Sequence, residues 1–299
     1  MTSSTGDRNH SGRRLARIVV LGTTMVLGLA TAVGVASAAQ TTPATNAASN
    51  HAGALTFRGS GDAIAPAAAS NLGYHGGFIQ ESPAVYLVFW GSQWTHDGNG
   101  VQSYMTNFFS GLGQSNDQWS RVTSQYTGKG LHPTFTGSVL KGTWVDSASA
   151  APNKASANAI ASEASRGRSH FGVAVSHNIN IIVLSPHGTH PDNFPNGGFC
   201  AWHDASGGLP FTNMPYVLDA GRSCGQSVVR SKLDGFSIVA GHEYLEAVTD
   251  PIPPSGWIDS AGAENADKCA WRNLHTINLS TGTFAVQPTW SNKVSGCAG

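Results

Sequence analysis

Runs of apolar residues along the chain predict two buried strands and two helices. Residues 84–90, Ala-Val-Tyr-Leu-Val-Phe-Trp, form a continuous apolar run, which is typical of a strand buried on both faces. A second predicted strand covers residues 178–184. Between residues 100 and 112 the apolar side chains recur every three or four positions, as on one face of a helix. A weaker helical pattern, rich in Ala and Ser, covers residues 153–166, so strands and helices alternate.

This alternation predicts an α/β fold in a single domain, with a mixed and mostly buried sheet flanked by helices. Residues 187–203 contain many Gly and Pro and are predicted to form a long loop. A further helix, whose N-cap is Ser231 or Asp234, is expected to end before Pro251. Nothing in the hydrophobic pattern requires a second domain.

The first 38 residues have the pattern of a secretory signal peptide. Three arginines, at positions 13, 14 and 17, precede a largely apolar run over residues 18–35, and Ala36-Ser37-Ala38 supplies a cleavage site. An uncleaved membrane anchor is the alternative, because this run is close to the shortest bilayer span. Residues 39–70, rich in Ala, Thr, Ser, Asn and Pro, are predicted to be a disordered linker or a propeptide. The folded domain is expected to cover residues 71–299.

Charge is scarce and balanced, which limits the partners that the protein can have. Seventeen basic and seventeen acidic residues cancel at neutral pH, and charged residues make up 11% of the chain. A nucleic-acid partner would require a basic patch, which the sequence lacks. We therefore expect no nucleic-acid partner, no membrane contact after signal cleavage, and a monomer that is secreted from the cell.

Four cysteines, Cys200, Cys224, Cys269 and Cys297, lie in the last third of the chain. Export to an oxidising compartment and an even count favour two disulfides, for which the sequence allows three pairings. Pairing of Cys200 with Cys224 and of Cys269 with Cys297 is preferred, because short loops close most readily. A zinc site made of four cysteines would need closely spaced pairs, which are absent from the sequence.

Residues 241–251, Gly-His-Glu-Tyr-Leu-Glu-Ala-Val-Thr-Asp-Pro, concentrate the rarest charged residue of the chain. Three of the five Glu residues lie in this stretch or shortly after it; the five are at positions 81, 163, 243, 246 and 264. Because residues four apart on a helix lie one above the other, His242, Glu246 and Asp250 form one polar line, with Glu243 beside it. The spacing resembles the His-Glu-x-x-His motif of zinc hydrolases, with Glu in place of the second His.

The motif predicts a zinc site on a zincin-like active-site helix. His242 and Glu246 are predicted zinc ligands, because imidazole and carboxylate groups bind the ion at similar distances. Glu264, 18 residues after Glu246, is the preferred third ligand. Nearby alternatives for that ligand are Asp250, Asp259 and Asp267. Glu243 is predicted to act as the general base for a zinc-bound water.

Two other interpretations of the motif are open at the level of sequence. Calcium is the competing ion, because six residues of the region carry oxygen ligands: Glu246, Asp250, Asp259, Glu264, Asn265 and Asp267. Alternatively, His242 and Glu246 pair with each other on a half-buried helix and bind no ion. His187 and His190 follow a predicted strand and are additional candidates for ligands or substrate contacts, since loops at strand ends carry function. His203, weighed on the same grounds, is not assigned to the site.

Several short motifs, taken in order, give the chain a resemblance to a known family. They are the strand at residues 85–91, Trp119, Cys200-Ala201-Trp202-His203, Asp234-Gly235, Thr249-Asp250-Pro251, Gly256-Trp257, residues 266–271 (Ala-Asp-Lys-Cys-Ala-Trp) and Cys297. In this order they resemble the EXORDIUM, or phosphate-induced, secreted proteins over residues 74–299. In plants this family is associated with the cell wall and with growth, without an established catalytic mechanism. The resemblance therefore implies an extracellular protein, and the activity must be argued from the site.

Together, these patterns predict a secreted, metal-dependent hydrolase, most plausibly a zinc peptidase acting on a peptide or a cell-surface polymer. The alternative is a noncatalytic, extracellular EXORDIUM-like protein of the cell surface or cell wall, in which the metal or polar site is structural. Bound metal separates the two hypotheses. Zinc with an open coordination position supports the enzyme, whereas no metal or a saturated calcium site supports the alternative.

Overall fold

Distant parts of the chain assemble into a mixed sheet in the computed structural model, which describes residues 51, 53–59 and 70–299. The described residues form twelve strands: β1 (Leu55–Thr56), β2 (Gly73–Tyr74), β3 (Ala84–Trp90), β4 (Leu140–Asp146), β5 (Ile179–Leu184), β6 (Phe199–Ser206), β7 (Leu209–Met214), β8 (Trp257–Ile258), β9 (His275–Leu279), β10 (Gly282–Val286), β11 (Thr289–Ser291) and β12 (Gly296–Ala298). They also form three α-helices: α1 (Val101–Gly111), α2 (Ala157–His170) and α3 (Asp234–Thr249).

Six of the strands form the main sheet, in the order β1-β6-β7-β5-β3-β4. Strands β4, β3, β5 and β7 run parallel to one another, whereas β6 runs antiparallel to β7 and β1 runs antiparallel to β6. The predicted α/β fold with a mixed sheet is therefore confirmed. The strands and helices predicted near residues 84–90, 100–112, 153–166 and 178–184 correspond to β3, α1, α2 and β5.

The two central strands are buried because both of their faces carry apolar side chains. Every residue of β5 is buried, and the side chains of Leu87, Val88 and Phe89 in β3 are at most 1% exposed. Gly167 of α2 lies against Val88, and an added Cβ there would meet Val88 Cγ2 at 2.5 Å. The absence of a side chain at this position lets the helix approach the sheet closely.

The N-terminal predictions fall partly outside the described residues. The predicted signal peptide, residues 1–38, and most of the predicted linker, residues 39–70, lie there. Within that linker, however, Leu55 and Thr56 form strand β1 at the edge of the sheet, so the prediction of disorder is wrong for this part. Leu55 is only 1% exposed, and its burial offsets the entropy lost when the segment orders.

The long loop predicted for residues 187–203 is also shorter than expected. Strand β6 begins at Phe199, and it continues through His203 before a tight turn leads into β7. The apolar side chains of Phe199, Ala201 and Trp202 are buried, which stabilises this strand despite the Gly and Pro residues that precede it. His203 thereby lies on a rigid strand rather than in a loop.

Two disulfides connect segments around the last helix. The structure joins Cys200 to Cys224 and Cys269 to Cys297, the pairing preferred from loop closure. Two such bonds fit a protein of an oxidising, extracellular environment. Within the part of the chain that the structure describes, none of the helices combines the length and apolar character that a membrane crossing requires.

Glu163 in α2 is a buried carboxyl group whose side chain is 2% exposed. Burial raises its pKa from 4.5 to about 8; Arg166 opposes this rise, and Asp146 adds to it. The unfolded group ionises near its ordinary pKa, whereas the folded group keeps its proton until about pH 8. The stability that the neutral form contributes is therefore complete below about pH 4.5 and is lost as the pH rises to about 8.

We expect Glu163→Gln to unfold with a free energy about 1 to 3 kcal/mol higher than that of the wild-type protein near pH 8.5. Gln cannot ionise, so the advantage should vanish near pH 4.5, where Glu163 is protonated. Arg166 keeps its ion pair with Asp146 in the variant. Urea unfolding at the two pH values measures the difference. Equal differences at both pH values would show that Glu163 does not titrate as described.

Candidate metal centre

Helix α3 carries the His-Glu-x-x-Glu motif through the interior of the protein, since all of its residues are buried. The helix begins at Asp234, whose carboxylate accepts hydrogen bonds from the backbone N–H groups of Val229, Arg230 and Ser231. It ends at Thr249, before Pro251, as the sequence predicts. Burial on every side means that the polar residues of α3 must find their partners inside the protein.

A first group of candidate ligands consists of His242, Glu246 and Asp267. Nε2 of His242 lies 3.0 Å from Oε1 of Glu246 and 3.5 Å from Oδ1 of Asp267. The side-chain amide of Gln287 lies 3.1 Å from Nδ1 of the same imidazole and so holds the ring with Nε2 towards the two carboxylates. The backbone N–H of Asp267 donates to Oε1 of Glu246 at 3.0 Å. All three side chains therefore face one point.

A second group consists of His203, Glu246 and Glu264. Nε2 of His203, on β6, lies 3.0 Å from Oε2 of Glu264 and 3.6 Å from Oε2 of Glu246. Candidate ligand atoms within each of the two groups lie within 4.8 Å of one another. Glu246 belongs to both groups, with Oε1 towards His242 and Oε2 towards His203. The carboxylate of Glu246 thus joins the two groups into one cluster, which we call the α3 cluster.

Several polar atoms of the α3 cluster make no hydrogen bond within the described part of the chain. They are Nδ1 of His203, Nε2 of His242, Oε2 of Glu246 and Oε1 of Glu264. Both carboxylate oxygens of the neighbouring Glu243 likewise lack a partner among the described residues. Buried polar atoms are normally hydrogen-bonded, because each unpaired one costs about 1 to 3 kcal/mol. Lone pairs that converge without a donor are the arrangement that a cation satisfies.

The charges of the α3 cluster also call for a cation. Burial opposes a charge on His203, but Glu264, Glu246 and Glu243 raise its pKa to about 10. Burial likewise opposes a charge on His242, yet Glu246 and Asp267 hold its pKa well above the ordinary value. Burial raises the pKa of Glu246, and repulsion by Asp267 adds to this effect. Protons on the imidazoles thus supply the positive charge that a metal ion would otherwise bring.

Glu243 lies beside the α3 cluster and is fully buried. Burial raises the pKa of its carboxyl group to about 7, and the charges of His242 and His203 oppose this rise. Neither of its oxygens has a hydrogen-bond donor among the described residues. In the His-Glu-x-x-His motif of zinc hydrolases, the Glu that follows the first His acts as the general base.

The two groups combine nitrogen and oxygen donors that could hold a metal ion. Each group offers one imidazole and two carboxylates, a set that suits zinc and other first-row transition ions, whereas calcium takes oxygen ligands. Two of the oxygen ligands considered for calcium have partners elsewhere. Asp259 pairs with Lys268 at 2.8 Å, and the side-chain amide of Asn265 donates to Leu245 O and Thr249 Oγ1.

The other predicted site residues belong to neither group of candidate ligands. Oδ1 of Asp250 accepts backbone hydrogen bonds from Ser255 and Gly256, so this side chain holds the turn after α3. Nδ1 of His187 lies 2.5 Å from Asp219, and its side chain is 78% exposed. Nδ1 of His190 lies 3.1 Å from the Asn153 amide. His187 and His190, predicted as possible additional ligands, both pair locally within loops and lie outside the two groups.

The predicted set of His242, Glu246 and Glu264 requires a correction. Asp267, one of the alternatives, shares the first group with His242, whereas Glu264 lies in the second group with His203. His203 was not assigned because it was placed in a loop, while β6 in fact carries it to the α3 cluster. The apolar run Phe199-Cys200-Ala201-Trp202 before it was a sequence signal for this strand.

Comparison of the chain with protein-family models, curated proteins and solved structures gives no match. The function must therefore be argued from the chemistry of the α3 cluster.

Proposed function

We propose that the protein is a zinc-dependent hydrolase, most plausibly an extracellular peptidase, whose centre is the α3 cluster. One observation carries the proposal: two imidazoles and two further carboxylates converge on the carboxylate of Glu246 in the interior, with lone pairs that the described residues leave unsatisfied. His242, Glu246 and Asp267 would hold the ion. His203 and Glu264 would orient Glu246 from its other oxygen.

In the proposed reaction, water adds to the carbonyl carbon of a peptide bond, and the C–N bond then breaks. Zinc, when held by His242, Glu246 and Asp267, would supply Lewis acidity and make a water molecule easier to deprotonate. Glu243 takes the proton of the attacking water and passes it to the nitrogen of the leaving amine. The water oxygen ends in the new carboxylate, and the second proton of the water follows the first through Glu243 to the amine, which leaves as an ammonium ion, so atoms and charges balance.

A noncatalytic extracellular protein with a structural metal site is the second candidate. The observation that favours it is burial, since His203, His242, Glu243 and Glu246 are at most 1% exposed. Only Asp267 of the α3 cluster is partly exposed, with 23% of its side chain accessible. The resemblance to EXORDIUM proteins, which implies an extracellular protein, supports the same candidate.

Metal analysis and peptide hydrolysis test the proposal on the purified wild-type chain. We expect stoichiometric zinc by mass spectrometry, together with cleavage of a peptide library that is lost on chelation and restored by added zinc. Calcium and magnesium should not restore cleavage, because the α3 cluster contains imidazole ligands. The noncatalytic protein would instead be supported by stoichiometric zinc without cleavage of any peptide. This result must also hold for the Gly53→Ala variant described below, in which the site is opened.

A further inference from the structure

A short stretch of the N-terminal region covers the α3 cluster. The stretch, residues 51 and 53–58, is called the N-terminal segment below. Its strand β1 runs antiparallel to β6, with Leu55 opposite Ala201 and Thr56 opposite Phe199. The segment therefore continues past His203, the residue of β6 that belongs to the α3 cluster.

Gly53 brings the backbone of the N-terminal segment directly onto the α3 cluster. A Cβ atom added at Gly53 would lie 2.0 Å from Oε2 of Glu264 and 3.3 Å from Nε2 of His203. The φ angle of Gly53 is +70°, a conformation that disfavours residues with a side chain. Only glycine fits at this position without displacing Glu264 from His203.

Side chains on either side of Gly53 fasten the N-terminal segment. The imidazole of His51 stacks on Trp202 with ring centroids 3.9 Å apart. Leu55 is buried in the core at 1% exposure. The indole N–H of Trp271 donates to Thr56 O at 2.8 Å. The segment thus uses backbone pairing for register and two side-chain pockets for selection, which is how extended peptides bind at the edge of a sheet.

We propose that the outer edge of β6 above the α3 cluster is a binding groove for an extended polypeptide, and that the N-terminal segment occupies this groove in the intact chain. The groove selects glycine over the cluster and a leucine-like side chain two residues later, as in Gly53 and Leu55. The identity of this polypeptide as a substrate rests on the proposed hydrolase function. The binding of the polypeptide in the groove does not depend on that function.

The size of the pairing favours exchange over permanent closure. Strand β1 has two residues, whereas β6 has eight. Strand β1 therefore pairs with only a small part of the edge of β6. The residues on both sides of the segment, within 39–70, are mostly small or polar and add few apolar anchors. A peptide that carries the same anchors can then compete for the groove.

Two glycine variants of the full-length chain test the proposal. Gly53→Ala places a methyl group against Glu264, whereas Gly172→Ala, the control, has a similar φ of +66° and no heavy atom within 4 Å of the added Cβ. The probe is a fluorescent octapeptide with the sequence of residues 51–58. We expect Gly53→Ala to bind it on the order of ten- to a hundred-fold more tightly than the wild-type chain or Gly172→Ala, because the groove is freed.

A second variant and a second probe keep the test decisive if the Gly53→Ala chain does not fold. Leu55→Asp removes the apolar anchor of the segment and should give the same gain in octapeptide binding. An octapeptide with Ala in place of its glycine should bind to none of the chains. If folded Gly53→Ala and Leu55→Asp chains bind the octapeptide no better than the control, the groove proposal is wrong.

Hydrogen exchange on the wild-type chain needs no variant. The amides of Phe57 and Arg58, which donate to Gly198 O and Ser223 O, should exchange faster than those of the central strand β5. Protection equal to that of β5 would make the segment a permanent strand and overturn the proposal. Octapeptide binding without hydrolysis would leave the groove intact and count against the hydrolase. If the wild-type chain hydrolyses peptides as fast as the opened variants, the hydrolase proposal stands and the groove proposal is contradicted.

Discussion

Replacement of Glu246 with Gln is expected to lower the zinc affinity of the protein at least about a hundred-fold, since loss of even a residue that only supports a ligand costs about 10- to 100-fold. Glu246 is the member common to both groups of the α3 cluster. Its removal should therefore release the ion whichever group holds it. Competition with a chelating dye measures the affinity of the purified full-length chain.

Glu163→Gln is the matched control for the Glu246 variant. Both changes replace a buried glutamate on a helix with an amide of the same shape, but Glu163 lies on α2 with Asp146 and Arg166. The control should keep its zinc. His242→Ala and His203→Ala then separate the two groups: loss of zinc only in the His242 variant assigns the ion to the first group. Zinc retained by Glu246→Gln would refute a metal centre at this helix.

Replacement of Glu243 with Gln should preserve zinc binding and lower the rate of peptide hydrolysis by about 10² to 10⁴, the usual effect of losing a general base. The amide keeps the shape of the side chain but cannot accept the proton of the attacking water. Metal content and kcat/KM should be measured on the same preparation. The Gly53→Ala chain provides an opened background in which the change can be repeated.

The comparison between the two glutamate variants separates catalysis from ion binding. Glu246→Gln should lose both zinc and turnover, whereas Glu243→Gln should lose turnover alone. If Glu243→Gln hydrolyses peptides as fast as the wild-type chain, Glu243 is not the base and the proposed reaction is wrong. A fall in zinc content equal to that of Glu246→Gln would place Glu243 among the ligands instead.

Local patterns were sufficient to locate the helix and strands that carry the main features of the fold. The apolar run at residues 84–90 predicts a buried strand, because seven successive apolar side chains are typical of such a strand. The spacing of His242 and Glu246 places them on one face of α3 at any tertiary arrangement, and their side chains do meet at 3.0 Å. Export and loop closure were sufficient for the preferred disulfides.

The residues outside α3 that face His242 and Glu246 could not be predicted from local patterns in the same way. Asp267 follows Glu264 by three residues, and both are candidates by spacing from α3. Only the path of the chain after the helix decides that Asp267 faces His242 and that Glu264 faces His203. His203 is 43 residues before Glu246 in the sequence, so no local period connects them.

The sequence by itself therefore determined the α/β class, the ligand line of α3 and the scarcity of charge outside it. These properties follow from local periodicity and residue type, which do not depend on distant contacts. The tertiary structure alone decided that β6 carries His203 to Glu246 and that Gly53 lies over Glu264. Both contacts join residues more than 40 positions apart, and their formation depends on sheet order and on the burial of Leu55, which no short window of sequence contains.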